Sequence, residues 1–163
     1  MGVVHRGSFR FWFISGDLDQ PVLSASDILA RVRSRRSWDA ASICPAECEF
    51  PCVHIEWHDG RGFVVQCFED ESSWGWFLVS ASNFGPPTIE INLGGQALER
   101  WPSELFVSDE VALRALECFL DSGKQDPTQQ WVRIDRFPRD TVWEGRAARE
   151  VWERENPPTR RDV

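Results

Sequence analysis

The stretch Cys52 to Asp70, CVHIEWHDGRGFVVQCFED, constrains the fold more than any other part of the chain. Val53, Ile55 and Trp57 alternate with His54, Glu56 and His58, the period of a strand with one buried face. Asp59-Gly60-Arg61-Gly62 then reverses the chain, and the β-rich run from Phe63 to Phe68 returns along it. Alternation, a glycine-rich turn and a second β-rich run make a β-hairpin. A hairpin is not stable alone in water, so its apolar face must meet further strands and a covering layer.

The flanking segments supply both. FRFWFIS (9–15) reads as a first strand, broken by GDLDQP. Ser24 or Ser26 can cap a helix through DILARVRSRR, where Ile28, Leu29 and Val32 form one apolar stripe. ASICPAECEFP reads as a loop punctuated by Pro45 and Pro51. WGWFLVS (74–80) reads as the next strand. TIEINL (88–93) alternates cleanly and stops at Gly94-Gly95, so the hairpin and these two runs make four consecutive antiparallel strands. The cover is VSDEVALRALECFLDSG. Ser108 suits its N-cap, Asp109 and Glu110 its positive end, and Gly123 a left-handed C-terminal cap. Its apolar face is Val111, Ala112, Ala115, Leu116, Phe119 and Leu120. QWVRID (130–135) reads as a last strand. The expected class is α+β, an antiparallel sheet of five to six strands covered by two helices. Residues 1–137 are expected to form one domain, and 138–163 a charged C-terminal extension, helical through TVWEGRAAREVWERE.

Composition narrows the partners. The chain has 163 residues with 26 acids against 18 bases, a formal charge of −8. Nucleic acid and anionic membrane are poor partners for such a surface, and a basic protein is a better one. No run approaches the roughly 20 apolar residues a membrane span needs. The N-terminal stretch lacks the pattern of a signal peptide, so a cytoplasmic location is expected. There, the five cysteines are expected to be free thiols.

Two clusters carry candidate chemistry. His54, Glu56 and His58 share one strand face, and imidazole and carboxylate serve as zinc ligands or acid–base groups. No other element obviously joins them, and the plainer reading is the solvent side of an amphipathic strand. Cys44, Cys48 and Cys52 lack the second, distant pair of a structural zinc motif. With no phosphate loop and no nucleophile motif, no cofactor, metal or catalytic set is expected. Glu69-Asp70-Glu71, followed by Trp74 and Trp76, has the make-up of a binding rim, in which charges speed encounter and aromatics anchor. The candidate partner-binding residues are Asp59, Glu69, Asp70, Glu71, Trp74 and Trp76.

The run INLGGQALERWPSELFVSDEVALRALECFLDSGKQDPTQQWVRID resembles the end of immunity protein family one of bacterial polymorphic toxin systems. The residues that carry the likeness are Leu93, Gly94, Gly95, Val107, Ala115, Phe119, Leu120, Gly123, Pro127 and Trp131. The resemblance spans roughly Ala25 to Asp135, and FRFWFIS and the tail after Asp135 fall outside it. It implies a cytoplasmic antitoxin that binds a cognate secreted toxin domain, a nucleic-acid-targeting deaminase or nuclease, and occludes its active site. The alternatives are a metal-binding or hydrolytic enzyme using His54, Glu56 and His58, and a generic protein-interaction adaptor.

Overall fold

The computed structural model describes residues 7–13, 21–34, 40–71, 75–85, 88–92, 98–133, 136–137 and 154–155. They belong to two compact units, one of Met1–Ser82 with Glu104–Asp135 and one of Asn83–Ser103 with Arg136–Val163. This division does not coincide with the boundary expected after residue 137. The expected C-terminal helix lies outside the described residues, apart from Arg154 and Glu155, which are helical.

The first unit is α+β. Its strands are β1 (Phe9–Phe13), β2 (Val22–Leu23), β3 (Ala40–Pro45), β4 (Cys52–His58), β5 (Gly62–Phe68), β6 (Trp76–Leu78) and, after the helices, β9 (Trp131–Arg133). They form one seven-stranded sheet in the order β2-β1-β3-β4-β5-β6-β9, with every pairing antiparallel. The helices are α1 (Ala25–Ser34) and α2 (Asp109–Ser122). Both caps follow from side-chain chemistry. Ser24 Oγ accepts the Asp27 amide at 3.2 Å, and Ser108 Oγ accepts that of Val111 at 3.4 Å. Gly123 closes α2 at φ 69°, donating to the Phe119 carbonyl.

The sheet is wider than the expected five to six strands, because it gains the two-residue β2 and because ASICPAECEFP is not all loop. Its first half is β3, paired with β1 on one side and β4 on the other. Small residues and two prolines give this strand little local signal. Its partners on both sides hold it, and Pro45 takes the last position, where a missing N–H costs least. The run 88–93 is a strand but does not extend this sheet. In the second unit β7 (Thr88–Asn92) pairs with β8 (Leu98–Pro102) in a separate two-stranded sheet. Local pattern does not mark β8, because Glu99, Arg100 and Pro102 hide the β period. In that unit Glu99 and Trp101 are buried, and the indole Nε1 donates to Glu99 Oε2 at 2.6 Å.

The register sorts the main sheet into two faces. Phe11, Ile43, Val53, Ile55, Val65 and Leu78 point to one face and bury against Ile28 and Val32 of α1 and Leu116 and Phe119 of α2. One contact sets where α2 starts. Phe63 and Val107 exchange both backbone hydrogen bonds, at 2.9 and 2.8 Å. Gly62 permits this approach, with φ at 114° and a backbone against which a β-carbon would strike the Val107 carbonyl. Gly62→Ala should therefore lower unfolding free energy by on the order of 1–3 kcal/mol, and Phe119→Ala by about 3–5 kcal/mol. Urea titration followed by tryptophan fluorescence checks both, and unshifted midpoints would contradict these contacts.

Candidate functional site

Strand direction brings two acidic loops together. β3 runs toward Pro45, β4 starts back at Cys52, and β5 ends at Phe68 directly opposite Cys52. The loops after β3 and after β5 therefore leave the same end of the sheet. The first exposes Glu47 and Glu49, and the second exposes Glu69, Asp70 and Glu71. A cleft of about 370 Å³ lies beside them, lined by Pro51, Cys67 and Glu69 with Gly123, Lys124 and Gln125. The C-terminus of α2 thus reaches this end, and its last carbonyls add to the negative potential. Among the described residues of that lining, Lys124 is the only basic one.

The candidate binding residues divide on this geometry. Glu69, Asp70 and Glu71 lie at the acidic end, joined by Glu47 and Glu49, whose loop carries no local signal of a site. Asp59 sits in the β4–β5 turn, separated from Glu69 by the length of β5, roughly 20 Å at the usual rise. Trp76 pairs with Cys67 and Arg133 on the helix-covered face and is half-buried. Its partner Cys67 lines the cleft beside Glu69, so Trp76 belongs to the same end of the sheet as the acidic loops. Trp74 lies outside the described residues.

A second cluster lies on the sheet face turned away from the helices. Glu56 Oε1 is 3.0 Å from His54 Nε2, and Oε2 is 3.1 Å from His58 Nε2. A carboxylate only accepts, so both Nε2 atoms carry their protons. His54 Nδ1 lies 3.2 Å from Ser42 Oγ, a pair in which the hydroxyl donates to the neutral ring and accepts from the protonated one. His58 also packs edge-on against Phe106, with ring centroids 5.3 Å apart. This face is not the solvated one that strand alternation implied. The side chains of His54, Glu56 and His58 are only 16, 22 and 20% exposed, and Val64 and Phe77 on the same face are buried. Burial pushes Glu56 up, but hydrogen bonds from the two imidazoles, and then their charges, outweigh it and hold the carboxyl at about 2.

This array can hold and pass a proton between Ser42 and His54. It is a poor acyl-transfer centre, because Ser42 is paired with both Trp12 and His54. Its amide is thereby engaged in the sheet and is not free to stabilise an oxyanion. Each imidazole spends its Nε2 proton on a different oxygen of Glu56, a hydrogen-bonded bracket and not a converging ligand set. Among the described residues, no group of three or more His, Cys, Asp or Glu side chains is placed to hold a metal ion. No helix among them is long and apolar enough to cross a membrane.

The residues behind the family resemblance occupy packing and turn positions. Ala115, Phe119 and Leu120 are core, and Gly123 is the helix cap. Pro127 lies in a turn that Asp126 organises by accepting from the Thr128 amide and hydroxyl, at 2.9 and 2.7 Å. Those bonds, the Thr128 hydroxyl first, hold the buried Asp126 carboxyl below its usual range. Trp131 Nε1 donates to the Asp126 carbonyl at 3.1 Å. Leu93 to Gly95 lie outside the described residues. No protein-family model matches the chain, and no curated protein sequence matches it either.

The depressed Glu56 carboxyl makes stability depend on acid. Its folded value of about 2 lies below the ordinary 4.5, so its contribution is complete above the ordinary value and is lost as pH falls toward 2. Unfolding free energies measured by urea from pH 6 to pH 2 should fall less steeply for Glu56→Gln than for the unaltered protein. Parallel curves would show that the bracket does not hold the carboxylate.

Proposed function

We propose that this protein is an immunity protein, an antitoxin that binds a cognate secreted toxin domain in the cytoplasm of the producing cell and occludes its active site. The observation that carries the reading is the convergence of Glu47, Glu49, Glu69, Asp70 and Glu71 at one end of the sheet, on a chain of net charge −8. A toxin that acts on nucleic acid presents a basic cleft to phosphates. A rim of carboxylates on a rigid sheet offers that cleft a competing anion and steers association. The likeness of the C-terminal half to immunity protein family one points the same way. The scaffold needs no turnover for this role, and the strand prolines, helix caps and Asp126 turn serve to hold the rim in place.

Growth of cells expressing a toxin domain encoded beside this protein's gene tests the reading. Co-expression should restore growth, and continued arrest with both proteins made would defeat it for that partner. Replacing Glu69, Asp70 and Glu71 together by Lys should slow association at low salt by about tenfold or more, and so should Glu47→Lys with Glu49→Lys. Asp59→Lys, at the far end of β5, should leave the rate nearly unchanged. Stopped-flow binding reads all three, and a rate sensitive to Asp59 alone would move the interface to the other end.

A further inference from the structure

Three of the five cysteines belong to one corner of the sheet, and the β3–β4 register says how two of them are placed. Pairing runs from Ala40↔Glu56 to Ile43↔Val53 and stops there. One step further, Cys44 stands opposite Cys52. Beyond them stand Pro45 and Pro51, which have no N–H with which to continue the ladder. The two cysteines lie on the face that carries Ser42 and His54, because each is two residues along its strand from one of these. Opposed residues of antiparallel strands have Cα atoms about 4.5–5.5 Å apart, whichever of the two pairing types they adopt. A disulfide spans about 4.4–6.8 Å. On the other side of Cys44 stands Arg10, whose Nη2 donates to the Cys48 carbonyl at 2.7 Å and so holds the loop that joins the two cysteines.

We infer that Cys44 and Cys52 are a dithiol pair built to close into a cross-strand disulfide by exchange with a low-molecular-weight disulfide such as oxidised glutathione. All five cysteines are free thiols in the structure. Cys52, half-buried where Cys44 is fully buried, is the thiol an incoming disulfide meets. Its thiolate attacks one sulfur of the oxidant and releases one glutathione thiolate. The Cys44 thiolate then attacks the Cys52 sulfur and releases the second glutathione. Two protein thiols lose two electrons and two protons, and one oxidised glutathione becomes two reduced ones. The product staples the base of the loop that carries Glu47 and Glu49. The inference rests on strand register and stands whether or not that loop binds a toxin.

The pair is also slow by construction. Burial, and then the neighbouring Cys44 thiol, push Cys52 up to about 12, and burial raises Cys44 as well. Little thiolate exists at neutral pH, so closure should speed up by about tenfold per pH unit between pH 7 and 9.

Peptide mapping of the intact protein tests this. The folded protein is held with oxidised glutathione, its remaining thiols are alkylated, and it is digested without reductant. The expected product is a Cys44–Cys52 crosslinked peptide, with Cys48 alkylated. Five alkylated cysteines, glutathione left on Cys52, or a bridge that includes Cys48 would each overturn the inference. Cys48→Ser should keep the crosslink and Cys52→Ser should abolish it, each judged on protein whose melting temperature matches the parent. Loss of the crosslink in folded Cys48→Ser, or a closure rate flat with pH, would also overturn it.

Discussion

Two backbone hydrogen bonds between Phe63 and Val107 join the central hairpin to the start of the helix that covers it. They tie the first turn of the β5 strand to the residue that precedes the Ser108 cap, so they decide where α2 begins. A helix started there lays Ala112, Ala115, Leu116 and Phe119 over the sheet. Glycine at 62 is the condition for the contact, since a side chain would occupy the place of the Val107 carbonyl. The same tight turn sets the β4–β5 register. A slip of one residue would exchange the two faces, sending Ile55 and Val65 away from the helices and the histidines into the core.

The polar bracket on the opposite face follows from that register. Residues two apart share a face, so placing Val53, Ile55 and Trp57 under the helices places His54, Glu56 and His58 on the other side. Their environment is half-buried, where an unpaired carboxylate is costly. Two imidazole donors compensate Glu56, and Ser42 completes the hydrogen bonding of His54. Both carboxylate oxygens of Glu56 and both ring nitrogens of His54 find a partner one strand or two residues away. Such closure accounts for the cluster without catalysis. The exposed ion pair between Arg33 and Glu117, which joins α1 to α2, contributes far less, because solvent screens it.

What was legible in the sequence was local. The β4–β5 hairpin and the caps of α2 rest on contacts within a few residues, and the strand near Trp131, though it pairs with distant β6, is marked by its own β-rich residues; each stands where the period and the punctuation put it. What was not legible needed partners far along the chain. Ala40 to Pro45 is a strand because Phe11 and Val53 flank Ile43, and nothing inside ASICP announces that. Glu90↔Arg100 and Ile91↔Glu99 put β7 beside an unremarked strand, where alternation alone had joined it to the main sheet. The candidate site divided the same way. Glu69 to Glu71 were visible as a run, but only topology adds Glu47 and Glu49 to them and removes Asp59. Ser42 was invisible as a partner of His54 until β3 lay alongside β4.

Arg10 links the acidic end to the thiol corner beneath it. Carboxylates gathered at one end of a sheet repel one another, and that repulsion works against keeping the loops that bear them in one arrangement. The loop after β3 answers it with a half-buried guanidinium bonded to the Cys48 carbonyl, between Glu47 and Glu49. The same guanidinium lies across from Cys44 in the sheet. Its positive charge works to lower the thiol, while burial, the larger effect, raises it. The residue that steadies the acidic loop therefore also sets the electrostatics of the cysteine at the loop's base. A change at Cys44 or Cys52 reaches Glu47 and Glu49 through the two ends of one short segment, and Arg10 is the support common to both.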